Sequence, residues 1–330
     1  MKTGELGERN FLKTIEHMVA VPEGAKLRFD DDASDFPLSE NQNIIVNVDT
    51  FVGTTDWLPG MTDAQVGRKT AVMALSDIAA KGGSPLAAML SLCVPHDYDV
   101  IATQELIRGF SQYCMKKAIP FLGGDLGASN DVILTGVAVG VAPPKGIISR
   151  GGAKKGDVIA VTGDFGLTSA AYEILLKGEK AEDSFKRRAI TAAYKPEIPI
   201  GLISALAEKD AVTSSMDSSD GLGITLNTMA TQSNLSFVVE TLPVAEGVIY
   251  FSRNLYINER RMVFEGGEEF ILVVTVPSEK WDEAVEIAGN LHVPLKEIGY
   301  TTSGKGVVFE SSEGYIEVPP NGYDNFREWE

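Results

Sequence analysis

The chain has 330 residues, 44% of them hydrophobic and 23% charged, so it can bury a core, and roughly 150 residues per domain makes two domains the expectation. Lys and Arg number 29 against 46 Asp and Glu, and the net charge of −17 would repel a phosphate backbone over most of the surface, which excludes nucleic acid as the expected partner. Two cysteines, Cys93 and Cys114, make neither a disulfide scaffold nor a metal framework, and His17, His96 and His292 stand scattered, so neither a zinc centre nor a Ser-His-Asp apparatus is expected.

The opening MKTGELGERN is polar and acidic where a secretion signal needs an apolar stretch. The apolar runs fall far short of the ~20 residues that span a bilayer, so a cytoplasmic location without membrane contact is expected. Ile44 to Val48 reads as a strand ending at Asp49, and Asp63 to Lys81 as a helix stopped by Gly82-Gly83. Leu86 to Val94 reads as a buried strand, Val100 to Lys117 as an amphipathic helix, Ile119 to Leu122 as a strand meeting Gly123-Gly124-Asp125, and Val132 to Val141 as a further strand. Pro143-Pro144-Lys145-Gly146 and Arg150-Gly151-Gly152 mark a linker, which divides the chain into residues 1–148 and 149–330. The second part continues the mixed α/β style, with a strand at Val158 to Val161, helices near Leu167 to Leu176 and Ile198 to Lys209, a loop from Met216 to Gly223, a helix to Ala230, and a strand from Phe270 to Val276.

Acidic residues recur beside glycines or at the ends of apolar runs: Asp30-Asp31-Asp32, Asp49, Asp77, Asp125, Asp217 with Asp220, and Glu268-Glu269. Any one such aspartate has an ordinary role in a turn or at a helix cap. Six loops of this kind point instead to a shared site, where like charges need a cation, and hard oxygen ligands favour Mg²⁺ or Ca²⁺ together with substrate phosphates. No phosphate-binding loop of the Walker type is present, because Asp157 stands where GxxxxG at Gly151 to Gly156 would need Lys. Arg150, Lys154 and Lys155 in the linker are candidates to hold phosphate, or a plain solvated loop.

Read in order, GELGERNFLKTI, DDDAS, NVDTF, GRKTAVMALSDIAAKGGSP, FLGGDLG, SRGGAKKGDVIAVTGDFG, SSMDSSDGLG, EGGEEFILVV and NGYDNF resemble the thiamine-monophosphate kinase family. That family lies within the superfamily of aminoimidazole ribonucleotide synthetase and selenophosphate synthetase, and TTDWLPGMTDAQVGRK looks most like archaeal members. The resemblance covers almost the whole chain. It implies a two-domain α/β fold of the aminoimidazole ribonucleotide synthetase kind, and a homodimer whose first-domain sheets pack into a shared barrel. It also implies direct transfer of the ATP γ-phosphoryl group to thiamine monophosphate, with several Mg²⁺ ions and no covalent or general-base residue. Carried over position by position, the Mg²⁺ ligands fall on Asp32, Asp49, Asp77, Asp125, Asp217 and Asp220. Gly124, Asp125, Arg150 and Ser219 match ATP-contacting positions, and Asp56, Glu268 and Tyr323 match positions that touch the thiamine substrate.

The chemistry suits such a chain, because phosphoryl transfer asks mainly for in-line positioning and charge neutralisation. The chain departs from the family's usual residues at Asp30, Val48, Asp56, Leu126 and Glu269-Phe270. Two other readings fit the same residues: a synthetase of the superfamily acting on another acceptor, and a Mg-nucleotide-binding protein without turnover.

Overall fold

The computed structural model describes residues 2–312, 314–324 and 326. Strands β1 (Ser34–Ser39), β2 (Gln42–Val52), β3 (Ser84–Val94), β4 (Phe121–Ala128) and β5 (Ile133–Ala142) form one sheet in the order β1-β2-β5-β3-β4. Its neighbours are antiparallel except β3 and β4, which the crossover helix Val100–Lys116 joins in parallel. Strands β6 (Val158–Val161), β7 (Ser214–Ser218), β8 (Ser236–Val239), β9 (Ile271–Val276), β10 (Lys296–Thr302), β11 (Gly306–Ser311) and β12 (Gly314–Glu317) form a second sheet, ordered β12-β11-β8-β10-β6-β9-β7. The fold is thus a mixed α/β one built on two mixed sheets. Among the described residues no helix is long and apolar enough to cross a membrane, and Cys93 and Cys114 are free.

The helix Asp63–Ala80 organises the first sheet. Thr62 and Gln65 close a reciprocal cap at its start, the Thr62 hydroxyl accepting from the Gln65 amide and the Gln65 side chain from the Thr62 amide. Its sides are buried nearly all round, between the inner face of the sheet and the Val100–Lys116 helix. The two helices cross at glycines: a Cβ on Gly67 would stand 1.8 Å from the Leu106 carbonyl oxygen, and one on Gly109 1.9 Å from that of Ala64. That close crossing sets the depth of the helix, and so the position of its last turn, which carries Asp77.

Several elements differ from the sequence reading. Strand β3 is not buried on both faces; it alternates, and its register places Met89 beside Val137 and Val48 on the outer side of the sheet. There Phe36, Val48 and Met89 are 40–59% exposed. β4 does not end at Gly123-Gly124-Asp125 but runs through it, Gly123 taking φ +96°. The expected loop at Met216 begins as strand β7; its serines hid it, since Ser214 satisfies its hydroxyl against Thr275 at 2.6 Å on the neighbouring strand. The helix expected from Ile198 is confined to Leu202–Ala207, after Pro199 and Gly201.

Candidate active site

Five predicted aspartates converge where the two sheets meet. Asp32 comes from the loop before β1, Asp49 from β2, Asp77 from the last turn of Asp63–Ala80, Asp217 from β7, and Asp220 from the turn that follows it. Oxygens of Asp32, Asp77 and Asp217 lie within 4.8 Å of one another, each residue offering one. Asn47 Nδ2 donates to Asp77 Oδ2 at 2.5 Å, and Ser76 Oγ to Asp217 Oδ2 at 2.8 Å, so both carboxylates are oriented from behind. A carboxylate in the last turn of a helix opposes the helix dipole, and three within one ion's reach repel each other. Nothing in folding favours such a cluster. Hard oxygen donors from three separate elements are what a divalent cation of the Mg²⁺ type asks for, so the residues fit that group.

The electrostatics agree. Burial, then repulsion from Asp217, Asp32 and Asp49, holds Asp77 well above the usual carboxylate range. Burial and the charges of Asp217, Asp220 and Asp56 push Asp49 up to about 7 against the Thr50 amide, and burial with Asp32 pushes Asp217 up to about 6. Asp220 is pushed up to about 7 by burial, even though Arg9 reaches it at 2.6 Å. One edge of the cluster is compensated. Lys81, fully buried, lies 2.7 Å from Asp31 Oδ1 and 2.6 Å from Asp32 Oδ2 while donating to the Ser215 carbonyl at 2.6 Å, and Arg150 pairs with Asp32 from the other side. Burial alone would raise Asp31, but Lys81 and Arg150 hold it below the ordinary value.

Beside the acidic group lies a cavity of about 100 Å³ lined by Asp56, Glu268 and Tyr323 with Thr55, Leu58 and Tyr172. Backbone contacts lace it to the acidic turn. The Glu268 amide donates to the Ser219 carbonyl at 2.5 Å, that of Phe270 to Ser218 at 3.0 Å, and that of Tyr323 to Asp220 at 3.0 Å. Asp56 accepts from the Val52 amide at 2.7 Å and from the Tyr323 hydroxyl at 3.4 Å; burial first, then Glu268, raises its pKa. A ligand seated between Asp56 and Tyr323 therefore lies beside the turn that carries Asp217 and Asp220.

Models of AIR synthase related protein match residues 30–142 (N-terminal domain) and 154–311 (C-terminal domain). A thiamine-monophosphate kinase of Nitrosopumilus maritimus is 36% identical over 87% of this chain and 90% of its own, and one of Pyrococcus abyssi is 31% identical over 89% of both. The chain belongs to the thiamine-monophosphate kinase family. Among solved structures, the Aquifex aeolicus thiamine monophosphate kinase matches with a TM-score of 0.80 at 25% identity, covering 96% of this chain and all of that one. AaThiL complexed with AMPPCP and TMP has the same fold, with a TM-score of 0.85 over 98% of this chain and 99% of its own at 24% identity.

Within this thiamine-monophosphate kinase fold, most residues singled out in the sequence fall together, while Gly124, Asp125, Lys154 and Lys155 do not. Asp125 is exposed on edge strand β4. Its register through Ser91 and Thr135 to Thr50 places it on the outer side of the sheet, three strands from Thr50, on the order of 14 Å at ~4.8 Å per strand. Gly124 has a packing reason of its own, since a Cβ there would meet the Leu90 carbonyl at 1.8 Å. Arg150 joins the acidic cluster, whereas Lys154 and Lys155 are exposed.

The departures from the usual kinase residues find their places too. Asp30 does not adopt a positive φ, and Gln232 Nε2 holds its carboxylate at 2.9 Å. Val48 faces the outer side, and Glu269 turns away from the cavity to accept from the Gly166 amide at 2.7 Å. Sequence reasoning missed Lys69, Lys81 and Tyr172, and it gave Asp31 no role beyond its place in the Asp30-Asp31-Asp32 run. The two lysines stand near opposite ends of the GRKTAVMALSDIAAKGG segment, where a basic residue reads as solvent-facing until the helix is seen to be buried nearly all round.

Proposed function

We propose that this chain transfers the γ-phosphoryl group of ATP to the phosphate of thiamine monophosphate, giving thiamine diphosphate and ADP. The observation that carries the reading is the lacing of the Asp56–Glu268–Tyr323 cavity to the Asp217–Asp220 turn by three backbone hydrogen bonds. An acceptor whose organic part fills the cavity directs its phosphate to the acidic group. Asp32, Asp49, Asp77, Asp217 and Asp220 would hold Mg²⁺, which when bound would neutralise phosphate charge. Arg150 and Ser219 are assigned to the nucleotide. The acceptor phosphate is already an anion near neutral pH, so the chain's residues need only orient the two substrates in line and exclude water.

The same reading includes a cytoplasmic homodimer. The outer face of the first sheet, with Phe36, Val48 and Met89 exposed, supports it, because a second copy covering that face would close two open sheets into a barrel. Asp125 and the Gly124 segment lie along that face and its edge, so their proposed part in metal and nucleotide binding would be played at the interface between the copies.

A panel of acceptors with ATP and Mg²⁺, read as ADP release and phosphorylated product, tests the activity. Mg-dependent turnover of thiamine monophosphate is expected. Turnover of a different acceptor alone would replace the kinase by another synthetase of the superfamily, and binding without ADP release would make the protein a nucleotide-binding one. In the same assay Arg150→Ala is expected to weaken ATP binding about tenfold, as loss of a charge-assisted contact does, and an unchanged ATP dissociation constant would remove Arg150 from that role.

A further inference from the structure

The carboxylate of Glu268 is gripped from both sides. Lys69 Nζ lies 2.5 Å from Oε1, and its side chain is fully buried; the Tyr172 hydroxyl donates to Oε2. Lys69 comes from the Asp63–Ala80 helix of the first sheet's layer, and Tyr172 from the helix Leu167–Leu176, which belongs to the second part of the chain. A buried ammonium is costly unless paired, and Lys69 has the Glu268 carboxylate and the Phe51 ring, 5.9 Å from Nζ to its centroid, to offset that cost.

The loop that supplies Glu268 is bent to do so: Glu268 takes φ +60° and Phe270 φ +52°, left-handed conformations that side-chain-bearing residues resist. The bend sends two adjacent carboxylates in different directions. Glu269 caps the start of the helix that carries Tyr172, by accepting from Gly166, and Glu268 receives the Tyr172 hydroxyl. The strained turn, the capped helix and the buried lysine are thus all fitted to one side chain.

We propose that Lys69 and Tyr172 are positioning residues that fix the Glu268 carboxylate in one rotamer at the wall of the Asp56–Tyr323 cavity, so that its remaining lone pairs meet N–H donors on the organic part of the acceptor. A carboxylate accepts about four hydrogen bonds. Two sites are taken by the clamp, and the others are left with fixed directions. Lys69 also opposes, as the smaller effect, the rise that burial and Glu268 give the Asp56 carboxyl. The proposal rests on thiamine monophosphate being the acceptor.

Tyr172→Phe removes a single oxygen and is the main test, and it keeps the proposal testable should Lys69→Met, measured beside it, fold poorly. KM for thiamine monophosphate should rise about tenfold or more in each, as expected for losing a hydrogen bond to a charged group, while KM for ATP and kcat stay within about twofold. In a Glu268→Gln background, Tyr172→Phe should change KM for thiamine monophosphate less than about twofold, because the group it positions is already altered. Equal rises in both KM values, or full additivity with Glu268→Gln, would overturn the clamp and leave Tyr172 a packing residue. If the wild-type protein does not turn over thiamine monophosphate at all, the acceptor assignment fails, and the proposal with it; the wild-type control separates that result from failure of the clamp alone.

Discussion

Asp77→Asn is expected to lower kcat by at least about a hundredfold and at the same time to raise the melting temperature of the metal-free protein. The activity loss follows from the place of Asp77 in the group of three carboxylates within 4.8 Å, since residues that merely orient metal ligands are already worth roughly 10- to 100-fold. The gain in stability follows from the same geometry with the cation absent. Asp77 is half-buried, repelled by Asp217, Asp32 and Asp49, and set in the last turn of a helix, where negative charge opposes the dipole. Asparagine keeps the shape. Its amide oxygen can still accept from Asn47, and its amide nitrogen can donate to Asp217. ADP release across a Mg²⁺ titration and a melt in EDTA read the two effects. A residue needed only for packing would lose both activity and stability, so a lower melting temperature, or near-wild-type turnover, would remove Asp77 from the ligand set.

The opposite signs expected of Asp77 also explain what was legible in the sequence. Asp32, Asp49, Asp77, Asp217 and Asp220 stood out because folding alone gives no reason to end apolar runs in carboxylates, and a residue type that packing does not favour remains visible against the hydrophobic pattern. Their counter-charges had no such contrast. Lys81 reads as an ordinary residue at a helix end, and only the return of the chain through Ser215 shows it buried between Asp31 and Asp32. Lys69 and Tyr172 are more than a hundred residues apart and meet at Glu268 through tertiary packing, which no local spacing encodes. Asp125 shows a different limit. A motif gives neighbours in the chain, but the side of a strand on which each side chain stands depends on register, and the register of β4 against β3 turns Asp125 outward. The strand β7 was hidden because its polar run, in which Ser214 finds a hydroxyl partner on β9, looks like a loop although it is fully buried.

The pH dependence of stability should separate the protein with metal from the protein without it. Asp49, Asp217 and Asp220 are pushed up to about 7, 6 and 7 from 3.8, so between about pH 4 and pH 7 the native state holds more protons than the unfolded chain. Stability then falls as pH rises through that window, because the slope follows the difference in bound protons between the unfolded and native states. In EDTA the melting temperature should therefore drop steadily from pH 5.5 to pH 8. Mg²⁺ with nucleotide replaces those protons with fixed positive charge, so its stabilising effect should grow over the same range. At pH 8 and a hundred times the dissociation constant, binding to the native state alone contributes about 2.7 kcal/mol. With an unfolding entropy of about 2.1 cal/mol/K per residue over 330 residues, that is a shift of about 4 °C. At pH 5.5, where protons compete for the same oxygens, the shift should be smaller. Glu269, pushed up to about 8 by burial and turned toward Gly166 away from the cluster, keeps its proton whether or not the cation is present. Some loss of stability toward pH 8 should thus survive in the loaded protein. A Mg²⁺-induced shift equal at both pH values would mean that the ion binds outside the aspartate cluster, and the carboxylates would then need another partner.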